Sequence, residues 1–391
     1  MARDREFDII IFGASGFTGR LVAEYMHATH SPRGVKWAMA GRDLKKLAAV
    51  RDEMGLPASI PLVAADTSDP KSLGAMAART KVICTTVGPY TYYGEPLVAA
   101  CVEAGTDYVD LCGEVLWMRQ MIEKYEARAK ETGARIVFSC GFDSIPFDQG
   151  VAFIQEKFKE KFGHAASRVK GRVRSMKGTF SGGTAASLGA TMEALKKDGG
   201  LISVLTSSFG LTPGFEGPEQ PALDKVFEDK GLGVWVTPFI MATINTKNVH
   251  RTNMLLGHPY GTDFEYDEMM VVGPGDKGRE MAEQIASINP LGGSNAPKPG
   301  EGPSKEERET GFYDVLLVAE DSEGHVLKAA IKGDKDPGYG STSKIISEAA
   351  IFLAEGHCNK SGGVYTAGAA FETGIIAKLV ERAGMTFDVE N

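Results

Sequence analysis

The sequence has little of what fixes a protein by cross-links, metal or membrane insertion. Its five cysteines, Cys84, Cys101, Cys112, Cys140 and Cys358, are odd in number, widely spaced and free of any CxxC pair, so neither a disulfide framework nor a zinc cluster is indicated. That usage fits a reducing, cytoplasmic compartment. Histidine is scarce, and the closest pair, His27 and His30, has no acidic or cysteine ligand beside it, so no metal is expected. No stretch reaches the roughly 18 apolar residues a spanning helix needs; the longest, GVWVTPFIMATI, is broken by Pro238. The opening MARDREF lacks the apolar core of a signal peptide. No transmembrane segment is therefore expected, while association with a membrane surface stays open. A net charge of −8 argues against nucleic acid as a partner, because phosphate neutralisation calls for clustered Lys and Arg.

What is present points to an α/β protein in more than one domain. The chain has 391 residues, 43% of them hydrophobic, more than one core usually organises. Residues 1–150 alternate β-branched runs (DIIIFGA, VKWAMAGR, IPLVAAD, KVICTTVGP, DYVDLCGE, RIVFSCGFD) with amphipathic stretches near 17–30, 43–54, 69–79, 94–104 and 115–132. Successive βα units predict a doubly wound parallel sheet covered on both faces, with ligands at the carboxyl ends of its strands. Residues 151–337 change character: the alternating strands VKGRVRSM and YDVLLVAED and a helix from Thr184 to Lys197 predict a mixed α+β domain for substrate binding or dimerisation, and hence a homodimer. Residues 290–309, rich in Pro, Gly and charge, read as a loop or as a lid over a cleft. In 338–391 two apolar helical stretches, 341–355 and 368–383, are expected to pack back on the first domain.

The chemistry starts in FDIIIFGASGFTGRLVAEYM. A strand ends at Phe12; Gly13 permits a sharp turn, Gly16 lets the backbone approach a pyrophosphate, and Gly19 lets helix and strand pack closely, with Ala14, Ser15, Phe17 and Thr18 completing the loop. The helix that follows offers N–H groups and a partial positive charge to phosphate. A strand before and an amphipathic helix after make this a dinucleotide-binding (Rossmann) turn rather than a plain glycine turn. The second strand ends in Gly41 and Arg42, where an NAD site usually has Asp or Glu. A small residue followed by a guanidinium suits a 2′-phosphate, so NADP(H) is preferred and NAD(H) is the alternative. Arg42 could also be a surface residue opening a helix that Asp43 caps. Asp66, at the end of the third strand, is placed to bond the adenine amino group or to cap a helix.

From residue 85 onward the strings become specific. TTVGPYTYYGEPLVAACVEAGTDYVDLCGE (85–114), SCGFDSIPFDQG (139–150), SGGTAAS (181–187) and GGVYTAGAAF (362–371) closely resemble the saccharopine dehydrogenase-like oxidoreductases, in the branch that includes the trans-acting enoyl reductases. Phe147 stands where the family more often has Ser. The resemblance spans most of the chain. It implies NADP(H)-dependent hydride transfer, with Val87, Gly88, Pro89 and Tyr90 at the nicotinamide ribose and the turn around Cys140, Gly141 and Phe142 beside the ring.

Proton donors are sought at the same strand ends. Tyr90, with Tyr92 and Tyr93, and Asp143 are candidates for acid–base work; the tyrosines could instead pack at a domain seam and Asp143 could cap a helix. In the second domain Lys170, Arg172 and Arg174 share one strand face by their spacing of two, either to bind carboxylates or phosphate or as a solvated stripe. The SGGT turn could hold an anion or be a cap by Ser181 or Thr184. With no dense Arg cluster for a tricarboxylate, a lipid-like enoyl or carbonyl substrate is preferred over saccharopine. Two other readings compete: a non-enzymatic NADP(H)-binding sensor or scaffold, and a cysteine-dependent acyl-phosphate or semialdehyde reductase using Cys140.

Overall fold

The computed structural model describes residues 5–178, 182–288 and 302–390, without the side chains of 182–185 and 188. Ser181 and most of the 290–309 stretch lie outside the described residues, as does the side chain of Thr184.

Six strands follow one another in the first part: β1 (Phe7–Phe12), β2 (Trp37–Gly41), β3 (Leu62–Ala64), β4 (Thr80–Thr85), β5 (Asp107–Val109) and β6 (Arg135–Val137). Their order in the sheet is β3-β2-β1-β4-β5-β6, every pairing parallel. This is the doubly wound order, with its switch point between β1 and β4. The all-apolar cores of β1 and β2, buried along nearly their whole length, are what a sheet covered by helices on both faces requires. Helices Leu44–Glu53 and Pro70–Ala77 start at Asp43 and Asp69, whose carboxylates accept from first-turn N–H groups.

The second sheet is mixed. Its strands are β7 (Arg168–Lys177), β8 (Phe227–Asp229), β9 (Val234–Pro238), β10 (Glu265–Gly273), β11 (Phe312–Glu320) and β12 (Val326–Gly333), with β7 and β10 parallel and the other pairs antiparallel. The apolar run GVWVTPFIMATI divides here, into strand β9 and the start of the helix Ala242–Leu255.

The last fifty residues serve both sheets. Helix Thr342–Ala354 packs on helix Phe17–Tyr25 and on β1, β4 and β5. Strand β13 (Gly363–Tyr365) extends the first sheet beside β6, while β14 (Met385–Glu390) extends the second beside β12. The stretch 368–383 is divided: a short helix Ala367–Phe371, a 3₁₀ turn and a helix Ile376–Arg382. A buried knot secures this return: Glu348, fully buried, accepts from Tyr25 at 2.8 Å and meets His30 at 2.7 Å and Arg382 at 3.5 Å. His30, read from sequence beside His27, is thus occupied by a carboxylate from far along the chain.

Several buried carboxyls give the fold a pH signature. Burial lifts Asp110 and Asp148 to about 7 and Glu268 to about 8, against the hydrogen bonds each accepts. The native state therefore holds protons that the unfolded chain releases near pH 4, so stability falls as pH rises from there through about 8. Thermal unfolding midpoints should decline between pH 5.5 and 8.5, and Glu268→Gln should flatten the upper part of that decline; a midpoint that rises over this range would contradict the assignment.

Candidate functional site

At the end of β1 the chain turns at Gly13, whose φ of 91° a side chain rarely adopts. A Cβ there would stand 2.7 Å from Val87 Cγ2 and 3.0 Å from Thr86 Oγ1, so Gly13 also admits the loop that follows β4. A Cβ on Gly19 would overlap the carbonyl of Gly13, which is why helix and turn approach as they do. Gly16 is exposed; its N–H donates to the Gly13 carbonyl at 2.9 Å, and a Cβ there would meet nothing nearer than that oxygen, at 3.3 Å. The helix it opens, Phe17–Tyr25, has no side-chain cap. An open glycine before uncapped N–H groups fits a pyrophosphate. Ala14 is buried and Ser15 and Thr18 are half-buried around this turn. Phe17 faces elsewhere: its ring meets Tyr339 edge-on at 5.2 Å, with the Arg308 guanidinium 5.5 Å over it.

Gly41 is buried against Leu47, and Arg42 follows it, exposed. Arg42, Asp43, Leu44, Lys45, Ala64 and Asp66 line an open depression beside the turn. Arg42 has no hydrogen-bond or ion-pair partner among the described residues. Asp43 caps its helix; Asp66 accepts from Ser68 N at 2.9 Å and Ser68 Oγ at 2.8 Å, so one of its oxygens is committed to its own turn. Two cations and an exposed rim suit a 2′-phosphate.

The loop after β4 is built by a residue that no sequence pattern singles out. Glu114, buried, accepts from Tyr90 N and Thr91 N at 2.8 Å each, from the Thr91 hydroxyl, and from Ser187 Oγ at 2.7 Å. Its carboxylate caps the short helix Tyr90–Tyr93 and ties the first domain to the helix Gly182–Lys197 of the second. Nothing local marks it, since three of its four hydrogen bonds come from residues 23 or 24 positions upstream and the fourth from 73 downstream. Val87 and Pro89 are half-buried and Gly88 exposed, at the mouth of the loop. Tyr90 is turned inward: its hydroxyl receives Leu111 N at 3.1 Å and lies 3.5 Å from the Thr85 carbonyl, with the ring against Trp117. Tyr92 and Tyr93 are exposed, Tyr92 donating to Glu193 at 2.6 Å. Glu114→Ala would strand several buried donors, at a cost of about 2–5 kcal/mol. A lowered urea midpoint together with a raised KM for the cofactor is expected, and Glu114→Gln should fall between variant and parent.

The turn after β6 carries Asp143. Asp143 is half-buried and has no hydrogen-bond or ion-pair partner among the described residues. Desolvation alone pushes its carboxyl up to about 7. It lies beside Gly113, with Oδ2 3.8 Å from where a Cβ on that glycine would stand, so it faces the loop after β5 and caps no helix. The next residue, Ser144, is held at φ 103°, a costly conformation for a residue with a side chain. Its hydroxyl receives Asn248 Nδ2 at 2.6 Å and donates to Asn245 at 3.0 Å, and Asn245 continues to Glu268 at 2.9 Å. Cys140, Gly141 and Phe142 contribute backbone here. The Cys140 thiol is wholly buried and burial pushes it well above its usual range, which speaks against the cysteine-nucleophile reading. Gly141 leaves no room for a Cβ beside Leu111 and Thr342; Phe142 packs its ring on Phe147 and Tyr313.

Both asparagines belong to helix Ala242–Leu255, whose residues Asn245, Thr246, Lys247, Asn248, His250, Arg251, Thr252 and Asn253 are all buried. Sequence reading passed over it because it shows no apolar stripe, though Asn245, Asn248 and Thr252 recur on one helical face. Lys247 donates to Thr243 O and is lowered by burial to about 8; Arg251 donates to the carbonyls of Leu211 and Val364. Thr252 joins Asp148, which also accepts Gly368 N at 2.7 Å.

The basic stripe on β7 is likewise spoken for. Arg172, 1% exposed, bonds Asp229 at 2.7 Å and Asp267 at 2.6 Å; Arg174 bonds Asp314 and Glu390; Lys170 bonds Glu320 at 2.7 Å. It is an internal ion-pair ladder, neither a free anion site nor a bare solvated face.

A doubly wound parallel sheet with a glycine turn at its switch point, joined to a second mixed sheet, defines an NAD(P)-dependent oxidoreductase. The sequence model of the saccharopine dehydrogenase NADP binding domain matches residues 9–137, and NADP(H) is the cofactor. The chain is 40% identical, over 97% of its length and 96% of the relative's, to a Mycobacterium tuberculosis protein that carries the provisional name trans-acting enoyl reductase Rv2449c. It is 35% identical, over 96% of both chains, to a trans-acting enoyl reductase of the same organism. The fold matches saccharopine dehydrogenase (L-Glu forming) of Saccharomyces cerevisiae with a TM-score of 0.54 at 12% identity, covering 98% of this chain and 99% of that one. The chain belongs to the saccharopine dehydrogenase-like oxidoreductases, in the branch of the trans-acting enoyl reductases. Among the described residues no helix is long and apolar enough to cross a membrane.

Proposed function

We propose that this protein is an NADPH-dependent reductase of an enoyl or carbonyl group on an apolar, acyl-type substrate, with Asp143 as proton donor. The observation that carries the reading is Asp143: a carboxyl at the carboxyl end of the parallel sheet, unpartnered among the described residues and raised to about 7, where an acid serves best at neutral pH. Bound NADPH supplies the hydride. Gly13, Gly16 and Gly19, with the backbone of Ala14, Ser15, Phe17 and Thr18, hold the pyrophosphate. Arg42 and Lys45 would hold the 2′-phosphate on a rim completed by Asp66, with the small Gly41 before them. Val87, Gly88 and Pro89 would flank the nicotinamide ribose, and the backbone of residues 140–142 would flank the ring. Tyr90 acts as a positioning residue, fixing the loop through Thr85 and Leu111. Protonated Asp143 gives its proton to the carbon next to an enoyl carbonyl, or to oxygen when the acceptor is a carbonyl, and recovers one from solvent.

The choice of substrate class rests on charge. Lys170, Arg172 and Arg174 are neutralised by internal carboxylates, and Lys247 and Arg251 are bonded to backbone carbonyls. A tricarboxylate such as saccharopine would find no free cationic cluster among them, whereas an uncharged acyl chain asks for none. The names of the mycobacterial relatives point the same way. The test is NADPH oxidation followed by absorbance with enoyl thioesters, aldehydes and saccharopine offered in parallel. Turnover of an acyl substrate with none on saccharopine is expected, and saccharopine as the best acceptor would overturn the reading.

A further inference from the structure

At the far end of the molecule three ligand-type side chains converge from segments about 160 residues apart. Helix Ile145–Phe162 begins at the site turn and runs 18 residues, about 27 Å. Just beyond its end stands His164. The hairpin joining β11 to β12 brings Asp321 and His325 to it. His164 Nε2 lies 2.9 Å, and His325 Nδ1 2.8 Å, from the same oxygen, Asp321 Oδ2, and the three ligand atoms all lie within 4.8 Å of one another. Glu323 Oε2 is 3.9 Å from His325 Nδ1 on a largely exposed side chain, close enough to swing in as a fourth ligand.

The surroundings are those of a prepared cation site. His164 Nδ1 lies 3.1 Å from the Phe162 carbonyl. A neutral ring with its proton directed there would offer the Nε2 lone pair to a metal ion in place of the Nε2–Asp321 contact. Asp321 keeps its other oxygen for the hairpin, accepting Glu323 N and His325 N at 2.9 Å each, so Oδ2 is aimed by its own turn. The Phe162 ring stacks on His325 at 4.4 Å and fixes its plane. Two imidazoles with one or two carboxylates form a set suited to zinc and its neighbours rather than to magnesium or calcium.

We propose that His164, Asp321 and His325, with Glu323 or water in the fourth position, bind one divalent transition-metal ion of the zinc type, a structural clip between the end of helix Ile145–Phe162 and the β11–β12 hairpin. It takes no part in hydride transfer. The test uses the full-length, untagged, chelator-treated protein titrated with Zn²⁺ by calorimetry and with Co²⁺ by visible absorption. One equivalent is expected to bind and to raise the thermal midpoint. His164→Gln and His325→Gln should each weaken binding at least tenfold and abolish the rise in midpoint, Glu323→Gln should weaken it less, and His27→Gln should bind as the parent does. Because the side chains are at the surface, each variant should keep the parent's NADPH affinity, which shows that it is folded. No binding by the parent, or binding undiminished in the His164→Gln/His325→Gln double variant, overturns the proposal; the cluster is then an ion-pair clasp only.

Discussion

Asp143→Asn should lower kcat by about 10²–10⁴-fold, the usual worth of a positioned proton donor, while the Kd for NADPH stays within twofold. Asn has nearly the same shape, and Asp143 makes no hydrogen bond or ion pair with any described residue, so little besides the proton is removed. The pH profile makes the test sharper. A carboxyl raised to about 7 by desolvation is protonated below that pH and ionised above it, so activity that depends on it as an acid is full on the acid side and falls as pH passes 7. In Asp143→Asn that descending limb should vanish along with most of the rate. A variant that keeps its rate within threefold, with the same pH limb, would assign the proton to solvent and leave the protein only the positioning of hydride donor and acceptor.

Arg42→Ala should raise the KM for NADPH by about 10–100-fold and leave that for NADH nearly unchanged. A hydrogen bond to a charged group contributes about 1.5–3 kcal/mol, and Arg42 makes none with any described residue. Lys45, on the same rim, retains part of the attraction, which is why the loss is bounded. Both cations are exposed, so their grip on a phosphate is screened by salt; the KM for NADPH should climb with ionic strength in the parent and climb less in the variant. Equal losses for the two cofactors would mean that Arg42 shapes the loop and does not read the 2′-phosphate.

Much of the first domain could be read locally. A βα unit declares itself within about 30 residues, through a buried apolar strand, a glycine turn and an amphipathic helix, so the strands and helices up to residue 137 were legible to within a few residues. The strands after β4 are shorter than their apolar strings: DYVDLCGE pairs only from Asp107 to Val109, because Asp110 leaves the ladder to receive Ser139 N, Cys112 N and the Tyr108 hydroxyl. The strings quoted for the family were legible for the same reason, each being a contiguous stretch of chain whatever elements it spans.

The sequence by itself determined the doubly wound parallel sheet, the glycine turn at Gly13, Gly16 and Gly19, the cationic residue after the second strand, and the family; the order of the strands came from the structure. Those signals are carried by neighbours in the chain. Only the tertiary structure decided which charges are free. Lys170, Arg172 and Arg174 look alike on their strand, yet their carboxylates come from 57 to 216 residues away. Tyr90 and Asp143 look equally fit to donate a proton, yet packing seals one against backbone and leaves the other half-open, with no partner among the described residues. Burial and partner choice depend on contacts between distant segments, and no local pattern of residues encodes them.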